Sequence, residues 1–225
     1  MTVRALLPVL VVCATAWASL QAHVRISTKV SWDREIAPIV QARCVACHRD
    51  GGRAPMSLAT YEEARPWAKA IKEEVLARRM PKWHVVRGYG DFSNDPSLSA
   101  FEVALLASWA DGGAPKTLPG GTPGGSRHVG PAVPPGKTRT VTIPCSSPTL
   151  PPGRLLALKP MLDKGASLRL DWARTDGSEE PLIWLKDFDP AFAEIYWLRA
   201  PANVSRGTRL VADTPSCTIL LTYAG

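Results

Sequence analysis

A long stretch rich in glycine and proline limits what this chain can fold into. Between residues 112 and 136 more than half of the positions are Gly or Pro. Because proline lacks a backbone donor and glycine loses the most entropy on ordering, such a stretch can form neither a regular helix nor the interior of a sheet. We therefore expect two separately packed domains, 31–115 and 139–225, joined by a linker at 116–138.

The first domain carries helical patterns. Ser31 precedes acidic residues and apolar side chains at helical spacing. Thr60 with Glu63, and Ser99 with Glu102, match the capping box that opens a helix. These patterns predict an all-α domain of three helices. Its expected core residues are Ile36, Ile39, Val40, Ala68, Ile71, Val75, Leu76, Phe101, Leu105 and Trp109.

The second domain changes to a period of two. Its short apolar or alternating runs are separated by turn sequences such as Thr175-Asp176-Gly177. They predict an all-β antiparallel sandwich or jelly roll. The expected strands are 140–143, 154–158, 167–173, 182–185, 195–198, 208–211 and 218–223.

The sequence CVACH, which contains Cys44, Cys47 and His48, is the attachment motif of a c-type haem. Two thiols at this spacing can form thioether bonds to the two vinyl groups of one haem, and the adjacent imidazole can bind the iron. A lone CxxC also occurs in redox dithiols and in half of a zinc site, but the following histidine disfavours both. We expect one covalent haem c with His48 as the proximal ligand.

The distal ligand is less tightly constrained. Met80 lies 32 residues after His48, beyond a helix that can carry the chain around the haem edge, whereas Met56 follows by only eight. We expect Met80, with Met56, His84 and an iron without a second protein ligand as alternatives. A thioether ligand would raise the reduction potential and close the site to substrates.

The N-terminus predicts export. Arg4 precedes an apolar run at 5–20 and small residues suited to cleavage, so residues 1–22 are interpreted as a signal peptide and the mature protein as periplasmic or otherwise exported. Membrane association is expected only if this segment stays uncleaved. The net charge of +7 becomes +6 without Arg4, which favours acidic redox partners, while the scattered cations do not indicate nucleic-acid binding.

The remaining cysteines predict one disulfide. Cys13 leaves with the signal peptide, and Cys44 and Cys47 belong to the haem motif. Cys145 and Cys217 remain, and an oxidising compartment permits them to pair. Two unrelated thiols are the alternative, since sequence does not show whether the two residues approach.

Three blocks of the first domain resemble a known family, namely CVACHRDGGRAPMSLATYEEARPWAKAI, RRMPKWH and SLSAFEVALLASWADGGAP. They are similar to monohaem cytochrome c domains fused to a β domain related to copper type II, ascorbate-dependent monooxygenases. The resemblance implies an all-α cytochrome c fold, iron ligation by His48, and the Met of RMPKW, Met80, as its axial partner.

The second domain resembles the C-terminal domain of those monooxygenases through RTDGSEEPLIWLKDFDPAFAEIYWLRAPANVSRGTRL. That family holds copper with a His-x-His pair and a later Met. Here Pro160 and Leu162 stand at the histidine positions, and Met161 is not expected to act as a ligand. Bound copper is therefore not expected.

Together these features predict an electron-transfer protein whose β domain serves docking or binding, and they make an electron carrier a better description than an enzyme. The alternative is a monooxygenase-like or peroxidase-like oxidoreductase in which the haem feeds a second centre. Other catalytic motifs are absent from the sequence.

Overall fold

The computed structural model describes residues 29–117, 136–146, 149–214 and 216–225. The predicted signal peptide, with Cys13, and positions 118–135 of the predicted linker lie outside these ranges. Within the described ranges, no helix combines the length and the apolar character needed to cross a membrane.

Short helices lie before and after the CVACH sequence. A π-helical turn at Trp32–Ile36 continues into α1, Ala37–Arg43. Next come α2, Tyr61–Ala64, a 3₁₀ turn at Arg65–Trp67, and α3, Ala68–Leu76. The last is α4, Ala100–Asp111. Residues 29–79 and 99–117 are called the helical part below.

Side-chain caps fix two of these helix starts. The Thr60 side chain accepts a hydrogen bond from the backbone N–H of Glu63, and the Glu63 carboxylate accepts one from the backbone N–H of Thr60. Ser99 and Glu102 form the same pair of hydrogen bonds at the start of α4. Both predicted capping boxes are confirmed. Ser31 makes no such cap; its N–H instead donates to the Glu35 carboxylate at 2.8 Å.

Seven antiparallel strands form two sheets within 136–146, 149–214 and 216–225, the described residues of what is called the β part below. The first sheet has the order β1-β7-β2-β5 and the second the order β4-β3-β6. The predicted β structure is therefore present, with a strand at each predicted run. The strands are β1 Thr138–Pro144, β2 Gly153–Met161, β3 Leu168–Ala173, β4 Glu179–Leu185, β5 Tyr196–Val204, β6 Arg209–Ala212 and β7 Thr218–Ala224.

The two sheets share one apolar core. Alternate residues of β7, namely Ile219, Leu221 and Tyr223, are buried, as the period of two requires. They belong to the same cluster as Leu170 of β3 and Ile183 of β4, which come from the second sheet. The inner faces of both sheets thus bury their apolar side chains against each other.

The predicted all-α cytochrome c fold for the first domain is wrong. The described chain is mainly β, with two antiparallel sheets and only short helical segments. Pro66 lies within the 3₁₀ turn that separates α2 from α3, and α3 ends at Leu76, short of Pro81. No helix covers residues 80–98, which are called the bridging segment below.

The bridging segment packs on the β part. This contact explains why the first domain is not the separate all-α unit that the sequence predicted. Val85 pairs with Leu185 of β4, and Phe92 pairs with Leu198 of β5. Because β4 and β5 are edge strands of different sheets, the segment supplies partners for backbone groups that an open edge leaves unpaired. Phe92 is buried in the β core, and Trp83 packs against it.

Two predicted core residues lie at the surface. Phe101 is 72% exposed and Leu76 is 53% exposed. On α4, Leu106 and Trp109 are buried instead. The centroid of the Trp109 ring lies 5.8 Å from that of the Trp32 ring. A second, separate apolar cluster therefore stabilises the helical part.

Candidate functional site

The CVACH sequence forms a tight turn directly after α1. The Cys44 carbonyl accepts hydrogen bonds from the backbone N–H groups of Cys47, at 3.1 Å, and His48, at 2.9 Å. Both cysteines are half-buried, and neither forms a disulfide. One short stretch of backbone thus gathers two free thiols and an imidazole.

The imidazole of His48 is held by its own loop. Its Nδ1 lies 3.3 Å from the backbone carbonyl of Met56 and donates to it, since a carbonyl oxygen can only accept. Nε2 then keeps its lone pair, which is the tautomer that binds a metal ion. Burial lowers the pKa of His48, against a smaller opposing effect of the Met56 bond, so the ring is neutral near pH 7.

The environment of Cys44 differs from that of a reactive dithiol. Burial raises the pKa of Cys44 to about 12, and the nearby Cys47 adds to the increase. Redox-active cysteine pairs need an accessible thiolate in an electropositive setting. A thioether sulfur carries no charge, so burial does not oppose a covalent bond to haem at this position.

The loop after His48 is compact and is anchored to the β part. A side chain at Gly52 would bring its Cβ to 2.2 Å from the Cys47 carbonyl oxygen, so only glycine fits this turn. Arg53 interacts with the Cys47 side chain and forms an ion pair with Glu194, just before β5. Glu194 raises the pKa of Arg53. The attachment loop and the β part are therefore joined by a charged contact.

The two methionine alternatives lie in different settings. Met56 packs against the core of the helical part, and its carbonyl accepts from His48. Met80 is half-buried at the start of the bridging segment, and its N–H donates to the Glu74 carbonyl at 3.4 Å. No contact among the described residues joins the Met80 side chain to His48.

His84 packs against the β part. Its Nε2 accepts from the Asp189 N–H at 3.2 Å, and its ring centroid lies 5.0 Å from that of Phe188. Burial lowers the pKa of His84; Lys82 acts in the same direction, whereas Asp189 and Glu194 oppose it. The neutral ring is needed because a protonated Nε2 could not accept the Asp189 hydrogen bond.

The His84 contact predicts a loss of stability in acid. Because its folded-state pKa lies below the ordinary value of 6.5, the unfolded chain takes up the proton first as the pH falls. His84 should therefore stabilise the fold fully above pH 6.5, and this contribution should disappear as the pH falls through the lowered pKa. In urea unfolding measured between pH 8 and pH 5, the free energy of unfolding should fall less with pH in His84→Gln than in the wild type. An unchanged pH dependence in the variant would contradict the prediction.

The predicted pair Cys145 and Cys217 is seen as a disulfide. The two Cα atoms lie 5.2 Å apart, and the Cys145 N–H donates to the Cys217 carbonyl at 2.9 Å. Cys145 follows β1 directly, and Cys217 immediately precedes β7. The bridge thus joins the ends of two paired strands.

The positions compared with copper-binding histidines lie at the end of β2. Pro160 is buried, and Met161 is 48% exposed beside Thr218 of β7. Leu162 packs against the core of the β part. Across the described ranges, no group of three or more His, Cys, Asp or Glu side chains is placed to hold a metal ion directly.

The chain matches no family model, and no curated protein matches it. Its function is therefore inferred from the site.

Sequence reasoning missed two contributors to this site. One is the Met56 carbonyl, which orients His48, and the other is the Arg53–Glu194 ion pair between the loop and the β part. A main-chain acceptor leaves no residue-type signal in a sequence. Arg53 and Glu194 are separated by 141 positions, and neither belongs to a recognisable motif.

Proposed function

We propose that the protein is an exported carrier of one covalent haem c that transfers electrons. The observation that carries this proposal is the geometry of His48, whose Nδ1 donates to the Met56 carbonyl while Nε2 remains a ligand atom. Histidines that bind metals are commonly held in this way by their second nitrogen. The haem would supply one-electron chemistry at its iron.

The chain around the motif fits the haem. Cys44 and Cys47 are free thiols three positions apart on a single turn, the spacing that two vinyl groups require. Gly52 lets the following loop fold back closely behind them. The neighbouring Arg53 guanidinium, paired with Glu194, interacts with the Cys47 side chain and so fixes the loop beside the two thiols.

The direction of the His48 ring favours Met80 over Met56 as the distal ligand. The main chain of Met56 lies on the Nδ1 side of the imidazole, behind the ring, whereas the iron would lie on the Nε2 side. Met56 is also packed against the core of the helical part. Neither observation applies to Met80, so we propose Met80 as the distal ligand.

The Cys145–Cys217 disulfide supports export, because such bonds persist in oxidising compartments. Together with one proposed redox centre, an exported location suits a protein that exchanges electrons with other proteins, and we regard it as a carrier rather than an enzyme. The redox partners would meet the exported chain, whose formal charge of +7 becomes +6 once the predicted signal peptide with Arg4 is removed.

The decisive experiment is to express the full chain with export and haem-attachment machinery and measure haem that resists acid-acetone extraction. The wild type should retain one haem c, identified by its pyridine haemochrome spectrum. Cys44→Ala/Cys47→Ala should retain none, whereas the matched control Cys145→Ala/Cys217→Ala should keep its haem. A wild-type protein without covalent haem would overturn the proposal.

A further inference from the structure

A cleft of about 460 Å³ opens where the bridging segment meets two loops of the β part. The aromatic rings of Trp83 and Phe188 lie in its wall, together with His84. Asp187 and Asp189 also line it. We call it the cationic cleft, after five further lining residues: Arg78, Arg79, Lys82, Lys164 and Lys186.

Main-chain hydrogen bonds hold the three segments of this cleft together. The Lys186 N–H donates to the His84 carbonyl at 2.9 Å, which fixes the bridging segment against the loop after β4. The Gly165 N–H donates to the Phe188 carbonyl at 2.7 Å, which fixes the loop after β2 against the same loop. The positive charges therefore lie on fixed backbone, although they come from distant parts of the sequence.

The positive charges of the cleft differ in how they are paired. Arg79 pairs with the Glu74 carboxylate, at 2.8 Å. Lys186 lies over the Trp184 ring, 4.6 Å from its centroid. Lys82 and Lys164 are exposed and form no ion pair with any residue that the structure describes. The cleft thus presents two exposed cations outside ion pairs, on backbone that is held in place, and such cations attract a negatively charged surface.

The lining of the cationic cleft also contains two acidic residues, Asp187 and Asp189. They bear on which class of negatively charged partner can bind there. The Asp189 carboxylate accepts from the Ala191 N–H at 3.0 Å, while Asp187 is exposed and directly follows Lys186. A uniform polyanion, such as nucleic acid or an anionic lipid surface, would be repelled at these two positions. A protein surface carrying mainly acidic residues and some basic ones matches the mixed pattern better.

We propose that the cationic cleft is the docking surface for an acidic redox partner protein. This inference rests on the proposed function: Arg79 and Pro81 line the cleft and flank Met80 in sequence, so a partner bound there would lie beside the proposed distal ligand. Electrostatic steering of this kind raises association rates and is weakened by salt.

The test uses the haem-loaded full chain and an acidic blue-copper protein as the probe. Two readouts are measured across ionic strength: the binding of the probe by calorimetry, and the rate of electron transfer from the ferrous haem. Lys82→Glu/Lys164→Glu should weaken binding and slow electron transfer at low salt by about tenfold or more, and should flatten the salt dependence.

The matched control is Lys69→Glu/Lys137→Glu, which changes the net charge equally at exposed positions outside the cleft. It should alter both readouts by less than about threefold. Equal effects of the two double variants would overturn the proposal, because net charge alone would then explain them. Tighter binding to anionic vesicles or to duplex DNA than to the blue-copper protein would also overturn it.

The two readouts separate this proposal from the proposed function. Binding does not require haem, whereas electron transfer does. If the chain lacks haem but Lys82→Glu/Lys164→Glu still abolishes binding of the probe, the docking surface stands and the electron-transfer function fails. If haem is present and binding is unaffected by the cleft variant, the docking surface fails alone.

Discussion

Replacing Cys145 and Cys217 together with alanine is expected to lower the free energy of unfolding by about 4 kcal/mol. The bridge joins positions 72 residues apart, so it removes many conformations from the unfolded chain. Alanine is preferred to serine because Cys145 is 3% exposed and a hydroxyl group would be buried there. The measurement is urea unfolding followed by tryptophan fluorescence.

Reduction provides the control for this prediction. Wild-type protein treated with dithiothreitol should unfold at nearly the same urea concentration as Cys145→Ala/Cys217→Ala, because both lack the same cross-link. The reducing agent should not change the variant further. A variant whose stability lies within about 1 kcal/mol of the oxidised wild type would contradict the prediction.

If Met80 is the distal ligand of the proposed haem, Met80→Ala is expected to lower the reduction potential by a sizeable part of the roughly 0.8 V range that axial ligands span. Loss of a thioether ligand removes the preference for ferrous iron and opens one coordination position. Potentiometry measures the potential, and the weak near-infrared charge-transfer band of Met ligation should disappear. Because Met80 is only half-buried, the variant should still fold.

Met56→Ala is the matched control for Met80→Ala. Met56 packs against the helical core and contributes its carbonyl, which alanine retains, to the His48 contact. This variant should lose some stability but keep the near-infrared band and the potential. The opposite result, with the band lost in Met56→Ala and kept in Met80→Ala, would assign the distal position to Met56.

Local sequence signals predicted elements whose stability comes from local chemistry. The capping boxes at Thr60 and Ser99 each join residues three positions apart, so the pattern and the structure coincide. The strands of the β part follow from a period of two with buried alternate residues, as at Ile219 and Leu221. The turn at Gly177 has the positive φ that favours glycine.

Long-range contacts explain what sequence did not predict. The bridging segment has no helical cap and contains Trp83, Val85 and Phe92, which resemble helix-core residues as readily as sheet-core residues. Its actual partners are the edges of β4 and β5, about 100 positions away. Phe101 was predicted to be buried but is exposed. The sequence near a helix start does not show whether another part of the chain will cover an apolar side chain there.

For the candidate site, the sequence predicted ligands but not their support. Cys44, Cys47 and His48 are recognisable because covalent attachment of a haem would require this spacing. The Met56 carbonyl and the Arg53–Glu194 pair depend on how the loop closes and where the β part lies. These contacts decide the ring orientation and the local charge, which are properties of the folded chain.

Because Phe92 is buried in the core of the β part, cutting the chain between the helical part and the β part would expose it. A fragment ending at residue 115 would keep Trp83 and Phe92 but lose the strands that cover them, leaving aromatic surface open to water and to self-association. It would also lose Glu194, so the Arg53 guanidinium in the loop after His48 would lack its partner. A fragment that keeps these contacts around Phe92 and Arg53 therefore has to include both sheets.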